Sequence, residues 1–452
     1  MKSKYKPYPK YKESGVEWLG EIPERWKVKA LKYLAKIQTG TTPSTLKKDN
    51  FSDTQGIPWI KPDELNGFNL LVKSKKFLTL KGLKEARLIK AKSILVCGIG
   101  TIGKLGIAGV DLTTNQQINA ITFFNKKIND NFSKYMISSS EKEMEKLANG
   151  NVVKILNTES QKNILYPYPP LNEQKAIATY LDRATQKIDT LINKQNRLIT
   201  LLKEKRQALI SHAVTKGVDS NGKLRMENGE FKDSGVEWLG KIPKWWKLSK
   251  LKYDSYIKAR VGWHGLKSEE LLSEGDAYVV TGSDFLGDTI DWDNCRKCSL
   301  KRYKQDKYIQ LKDNDLLVTK DGTIGKIIKV NKLPNIATLN SGVFVIRPLL
   351  NKYLSEYYYW ILVSSIFHNF IEYYKIGSTI QHLYQATFEQ MPYPLPPKEE
   401  QKAIATYLDQ KTQAIDTLID KATKSIELLK EKRTALISAV VTGKVDVRDI
   451  HD

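Results

Sequence analysis

Histidine and cysteine are both scarce in this chain of 452 residues, with five of the first and three of the second. Three cysteines, Cys97, Cys295 and Cys298, cannot build a disulfide framework. Cys295 and Cys298 make one CxxC, but no second CxxC and no HxxxH completes a zinc site, so a reduced pair and no metal are expected. The histidines (His212, His264, His368, His382 and His451) are scattered along the chain. Long apolar runs are missing too: the stretch Tyr357 to Phe367 is too short to span a bilayer and carries Ser364 and Ser365. With no signal peptide ahead of the fold, a cytoplasmic protein with no membrane partner is expected. Catalytic signatures are lacking as a set. No Asn-Pro-Pro-Tyr or Asp-Pro-Pro-Tyr is present to hold a target base for methyl transfer, and no Pro-Asp followed by Glu-x-Lys marks a nuclease centre. No catalytic residue is therefore assigned.

Positive charge is what the chain has in excess. Its 73 Lys and Arg against 50 Asp and Glu leave a formal charge of +23. Such a surplus points to a polyanionic partner, because neutralising phosphates releases condensed counterions. The excess begins at once: Lys2, Lys4, Lys6, Lys10 and Lys12 precede the first acid, Glu13, with Tyr5, Tyr8 and Tyr11 between them. That arm either lies along a nucleic-acid backbone or is a free end.

The chain is also written twice. EQKAIATYLD occurs at Glu173 to Asp182 and again at Glu400 to Asp409, an offset of 227. Leu201 to Arg206 (LLKEKR) recurs as Leu428 to Arg433 at the same offset. SGVEWLG opens each half, at Ser14 to Gly20 and at Ser234 to Gly240, and GTIGK recurs at Gly100 to Lys104 and Gly322 to Lys326. Variable block, fixed segment, variable block, fixed segment is the order. This is domain duplication in which one part of each half is held constant while the other has diverged.

The fixed parts are helical. Ile177, Leu181, Ala184, Ile188, Leu191, Gln195, Leu198, Leu202, Lys205 and Leu209 advance by alternating steps of four and three, a coiled-coil seam. Ile404, Leu408, Lys411, Ile415, Leu418, Ala422, Ser425, Leu429, Lys432 and Leu436 repeat it. Asn172 is placed to cap the first helix. A long helix with one apolar seam needs a partner, and its own twin supplies one. The segments read as 1–170 (arm and first variable block), 171–216 (helix), 217–396 (linker and second block) and 397–452 (helix and tail). The variable blocks read as α+β, with short β-branched runs such as Ser93 to Val96 and Leu316 to Thr319. Each returns through a helix, around Phe132 to Leu147 and Tyr353 to Tyr374.

Gly98-Ile99-Gly100-Thr101-Ile102-Gly103 has the form of a dinucleotide fingerprint, GxGxxG. Its duplicate, Lys320-Asp321-Gly322-Thr323-Ile324-Gly325, lacks the first glycine. What the halves share is a Gly-Thr-Ile-Gly turn with a lysine at its exit, and a glycine-supported turn is the expectation.

Three features together carry a family resemblance: the helix starts Pro170-Leu171-Asn172-Glu173-Gln174 and Pro396-Pro397-Lys398-Glu399-Glu400-Gln401, the SGVEWLGxIPxxW openings, and the LLKEKRxALIS runs. Over essentially the whole chain they resemble the specificity subunits of type I restriction-modification systems. The resemblance implies two α+β target recognition domains separated by two long helices, which form an antiparallel coiled coil with pseudo-two-fold internal duplication. Each domain would read one half of a bipartite, asymmetric site in double-stranded DNA. The helices would set the spacer and bind two methyltransferase (modification) subunits, and restriction/translocase subunits would join the full complex. It implies a non-catalytic chain with no cofactor of its own, since S-adenosylmethionine, ATP and Mg belong to the partner subunits. The competing reading is a stand-alone DNA-binding coiled-coil adaptor, which co-purification with a methyltransferase would exclude. Base readers should be polar or charged loop residues of the variable blocks. The candidates are Thr41, Thr42, Lys61, Lys104, Asn115, Gln116 and Gln117 in the first block, and Arg260, His264, Lys320, Thr323, Lys326 and Asn340 in the second.

Overall fold

The computed structural model describes residues 6–124, 127–219, 221–226, 230–261, 265–375 and 382–448. The chain divides into two compact units, residues 1–195 with 424–452, and residues 196–423.

The first unit is built on strands β1 (Ala35–Thr39), β2 (Ile57–Ile60), β3 (Ile94–Cys97), β4 (Leu105–Ala108), β5 (Thr113–Thr114) and β6 (Ile118–Phe123). One sheet runs β1-β6-β3-β4, antiparallel throughout, with Leu70–Leu71 added parallel to β4. A second sheet sets β5 parallel to β2, followed by Phe77–Leu78 and Phe51–Ser52. Strand β3 explains its own sequence. Ile94 and Val96 enter one core with Ile121 and Phe132, while Leu95 and Cys97 enter another with Ile60 and Ala120. Alternate side chains leave a strand on opposite faces, so a strand buried on both reads as an unbroken apolar run. The return expected at Phe132 to Leu147 is two helices, Asp130–Ser138 and Glu141–Leu147. The Ser140 hydroxyl turns back to the Ile137 carbonyl at 2.8 Å between them, a local bond that competes with helix continuation.

Helix α1 follows, Leu171–Lys216, 46 residues and about 69 Å long. It starts one residue before the anticipated cap, so Asn172 lies in its first turn. What fastens its start is Gln174, wholly buried, whose side chain accepts from Asn129 N at 2.8 Å and donates to Pro169 O at 2.8 Å. Gln174→Ala strips both groups of a partner and should cost about 2 kcal/mol in urea unfolding, with exposed Lys175→Ala near neutral as control.

The second unit repeats the plan with β7 (Ser255–Ala259), β8 (Ala277–Val280), β9 (Leu316–Thr319), β10 (Ile327–Lys329), β11 (Ala337–Leu339), β12 (Val343–Pro348) and helix α2 (Lys398–Val441). Its sheet order is β7-β12-β9-β10, and β11 pairs parallel to β8. Gln401 accepts from Leu354 N at 2.8 Å and donates to Pro396 O at 2.9 Å, as Gln174 does in the first unit. The helical return again breaks at a serine, Ser364, whose hydroxyl bonds the Ile361 carbonyl at 2.7 Å between Ser355–Val363 and Ser365–Lys375.

The helices pair antiparallel. Within the first unit Ile177, Ala178 and Leu181 share a core with Ile437, Val440 and Val441. Within the second, Ile210, Ala213 and Val214 share one with Ile404, Ala405 and Leu408. The seam differs from the anticipated one at every second position. Thr185, Ile192, Ile199 and Arg206 turn inward with Leu181, Ile188, Gln195 and Leu202, while Leu191, Leu198 and Lys205 are exposed. In α2, Thr412, Ile419, Ile426 and Arg433 replace Lys411, Leu418, Ser425 and Lys432. Two series of alternating threes and fours share half their members, and Leu191-Ile192 and Leu198-Ile199 satisfy either. Ion pairs flank the observed seam: Arg206 Nε lies 2.9 Å from Asp416 and Arg433 Nε 2.9 Å from Asp189.

Both helices end on a glycine of positive φ, Gly217 at +84° and Gly443 at +76°. A Cβ at Gly443 would meet Pro23 at 2.4 Å, and one at Gly217 would meet Trp246 at 2.9 Å. The close approach is made by the SGVEWLGxIPxxW segments, whose Leu19, Ile22 and Trp26, and Leu239, Ile242 and Trp246, are buried against the helix ends. Residues 1–5 of the basic arm lie outside the described residues. From Lys6 onward it is tied down: Lys6 bridges Asp446, and Tyr8 meets Trp26 edge-on at 5.6 Å.

Candidate nucleic-acid interface

In the first unit the candidates sit where strands end. Thr41 and Thr42 follow β1, Lys61 follows β2, Asn115 to Gln117 follow β5, and Lys104 closes the β3–β4 hairpin. Direct bonds join them. Thr41 N donates to Thr114 O at 2.8 Å, Asn115 N to Ile60 O at 3.1 Å, and Gly98 N to Gln117 O at 2.8 Å. The Thr42 hydroxyl bonds the Gln116 side chain, and Lys104 Nζ donates to Pro62 O at 2.8 Å. The close approach depends on Gly40, where a Cβ would lie 2.1 Å from Thr114 Oγ1. All seven first-block candidates thus come together. They divide by exposure: Gln116 is open to solvent, Thr41, Thr42, Lys61, Lys104 and Gln117 are half-buried, and Asn115 is buried. Asn115 is framework, its amide donating to Gln117 Oε1 at 2.8 Å and accepting from Gln117 N at 3.2 Å.

The Gly98 to Lys104 segment is a hairpin turn. Cys97 N donates to Lys104 O at 2.8 Å and Gly103 N to Cys97 O at 3.0 Å, with Gly100 and Gly103 at φ of +87° and +80°. The strand exits into antiparallel β4, not into the helix N-terminus that a dinucleotide fingerprint requires.

The second unit repeats much of this backbone frame. Asn340 N donates to Val280 O at 2.9 Å, Lys320 N to Gly342 O at 2.9 Å, and Thr319 N to Lys326 O at 3.0 Å. Lys326 and Thr323 are exposed on the hairpin, and Asn340 is half-buried. Lys320 Nζ lies 3.2 Å from Asp321, which also meets His382 Nδ1 at 2.7 Å. Arg260 is not available to a ligand. Only 2% exposed, it takes the place of Gly40, donating to Leu339 O at 2.8 Å and to Thr338 Oγ1 at 3.1 Å. Through these two bonds it braces the strand ends. His264 lies outside the described residues.

Sequence reasoning missed two features beside this face. Arg87, exposed, donates from its guanidinium to Thr39 O at 2.9 Å and from its backbone N–H to Thr41 Oγ1 at 3.2 Å. An open cleft of about 400 Å³ has Trp59 and Phe51 among its walls with Lys48, Lys61 and Lys76 around them. Trp59-Ile60-Lys61, an aromatic and a cation at a strand end, was the available signal for the cleft. Nothing in the spacing marks Lys48 or Lys76. Chemically the face offers amides and hydroxyls that match base edges and lysines that match phosphates. The CxxC is separate from it: Cys295 and Cys298 are both buried and free, and burial pushes the Cys295 thiol up to about 12, leaving it protonated at neutral pH. Among the described residues, no helix is long and apolar enough to cross a membrane.

Residues 23–201 and 265–428 match the family model described as the type I restriction modification DNA specificity domain. The chain belongs to that family. The first matched stretch holds β1 to β6 and the start of α1, and the second holds β8 to β12 and most of α2. Among relatives of this specificity family, the type I restriction enzyme MjaIX specificity subunit of Methanocaldococcus jannaschii is 24% identical over 406 residues, 87% of this chain and 88% of its own. The MjaVIII specificity subunit of the same organism is 25% identical over 403 residues, 86% of each chain. A solved chain from work on the structural basis of complex assembly and conformational transition of the type I R-M system shares the fold. It has a TM-score of 0.66 at 16% identity, covering 93% of this chain and 98% of that one.

Proposed function

We propose that the chain is the DNA-reading subunit of a type I restriction-modification complex, each unit reading one half of a bipartite, asymmetric double-stranded site. One observation carries the reading: the two units hold the same backbone frame and put different side chains on it. Where the first has Gly40, Lys61, Gly98 and Gln117, the second has Arg260, Thr281, Lys320 and Gly342. A frame kept while its side chains change suits a reader whose target changes. Different side chains imply different half-sites.

The helices are the spacer and the docking surface for two modification subunits. Support comes from leucines that face away from the seam. Leu191 and its equivalent Leu418 are 47% and 49% exposed, and Leu201 and Leu428 are 51% and 56% exposed. An apolar residue kept outward in both copies suits one partner bound twice. Arg206 and Arg433 do not support it, since their recurrence is accounted for by the ion pairs with Asp416 and Asp189. The chain itself is non-catalytic. S-adenosylmethionine serves the modification subunits, ATP and Mg serve the restriction/translocase subunits, and the complex works in the cytoplasm on DNA.

Exchange of residues 234–396 for the matching block of another family member tests this. Methylome sequencing of the host should find one half of the methylated motif changed, with the other half and the spacer kept. A change in both halves would refute the assignment of one reader to each unit.

A further inference from the structure

Residues 149–155 form a short loop with its ends tied together: Asn149 and Ile155 exchange both backbone bonds, at 3.1 and 2.8 Å. Gly150, at φ +132°, closes it so tightly that a Cβ would lie 2.1 Å from the Val153 carbonyl oxygen. Two bonds fasten the loop to the candidate face. Gly100 N donates to Lys154 O at 3.3 Å and Leu156 N to Gly98 O at 2.8 Å, while Gly98 N donates to Gln117 O. What the loop holds out is apolar: Val152 is 96% exposed, Val153 47% and Ile155 46%. Val152 packs against nothing in its own unit, yet both ends of its loop are held beside polar candidate readers. Exposed Asn151 and Lys154 flank the valines.

We infer that Val152 is an apolar base contact, its methyl groups meeting the 5-methyl of a thymine in the major groove of the half-site that this unit reads. Thymine alone among the four bases presents a methyl group there, so the contact would specify one base at one position. It rests on the proposed reading of this unit as a DNA reader, and the test separates the two.

The test uses the complex of this chain with its modification subunits and duplexes carrying the motif that complex methylates. Each thymine of the half-site, on either strand, is replaced in turn by deoxyuridine, which lacks the 5-methyl. One replacement should lower the methylation rate at limiting DNA by about three- to tenfold, as loss of one buried methyl contact does. Val152→Ala should lower the rate on the thymine duplex by a similar factor and be indifferent to the same replacement, the signature of a direct pair. At 96% exposure the substitution leaves the fold alone. A defined motif with no thymine coupled to Val152 overturns the contact and leaves the reader standing. A wild-type complex that methylates no defined motif overturns both.

Discussion

Leu202→Asp should abolish assembly of the chain with its partners, while Leu201→Asp, one residue earlier, should leave it folded. Leu202 is 9% exposed and lies in the seam between Ile199 and Arg206; Leu201 is 51% exposed and points away from it. A carboxylate at 202 must be buried without a partner or drive the helices apart, at a cost of several kcal/mol. Native chains hold only about 5–15 kcal/mol in reserve, so the loss takes most of the margin. Urea unfolding measures the stability, and co-purification with the modification subunits measures assembly. Leu201→Asp should unfold with the wild type. If Leu201 and Leu428 form the docking surface, that variant, combined with Leu428→Asp, should still lose the modification subunits. Equal damage from the two single substitutions would mean that the seam runs elsewhere.

The pair of variants matters because periodicity alone did not locate the seam. A helical stripe is legible when apolar residues are confined to it, and here Leu191-Ile192 and Leu198-Ile199 put apolar side chains on both sides of the line. What marks the line in the structure is burial together with charge pairs far apart in sequence, Arg206 with Asp416 and Arg433 with Asp189. No local pattern contains such a pair. The duplication, by contrast, was legible in full, because near-identical segments need no structural knowledge to be seen. The test that rejected nucleotide binding at Gly98 to Gly103 worked for the same reason: its duplicate lacks a glycine that the chemistry needs and keeps those that the hairpin needs.

The first-block candidates were chosen as polar or charged loop residues, and the structure places them where two sheets bring their strand ends together. Exposure was not legible. Asn115 and Arg260 have the chemistry of base readers and spend it inside, on Gln117 and on Leu339 and Thr338. A short polar side chain at a strand end can face out or brace its neighbour. For Asn115 the deciding partner is Gln117, two residues on; for Arg260 it is Leu339 and Thr338, on a strand far along the chain. Val152 escaped notice for the converse reason. An isolated valine in a loop reads as filler until its exposure and the anchoring of its loop are known.

Lengthening both helices by four residues at matched positions should change the spacer of the methylated motif and nothing else. Four residues add about 6 Å and turn the helix about 40° beyond a full turn. The seam, which alternates threes and fours, accepts a four-residue insertion as a stutter that slightly unwinds the coil. Apolar residues of the insert at seam spacing keep the stripe continuous, so stability should change by little. If α1 and α2 fix the distance between the half-sites, 6 Å corresponds to one or two base pairs at about 3.4 Å each. Both half-sites should stay as they were, because no strand end or loop of either unit is touched. Insertion sites away from Leu191, Leu201, Leu418 and Leu428 keep the proposed docking surfaces whole. Methylome sequencing before and after gives the answer directly: a spacer longer by one or two base pairs between unchanged half-sites is the expected result. Full methylation with the original spacer would refute the ruler, because helices longer by about 6 Å would then be reaching the same two half-sites.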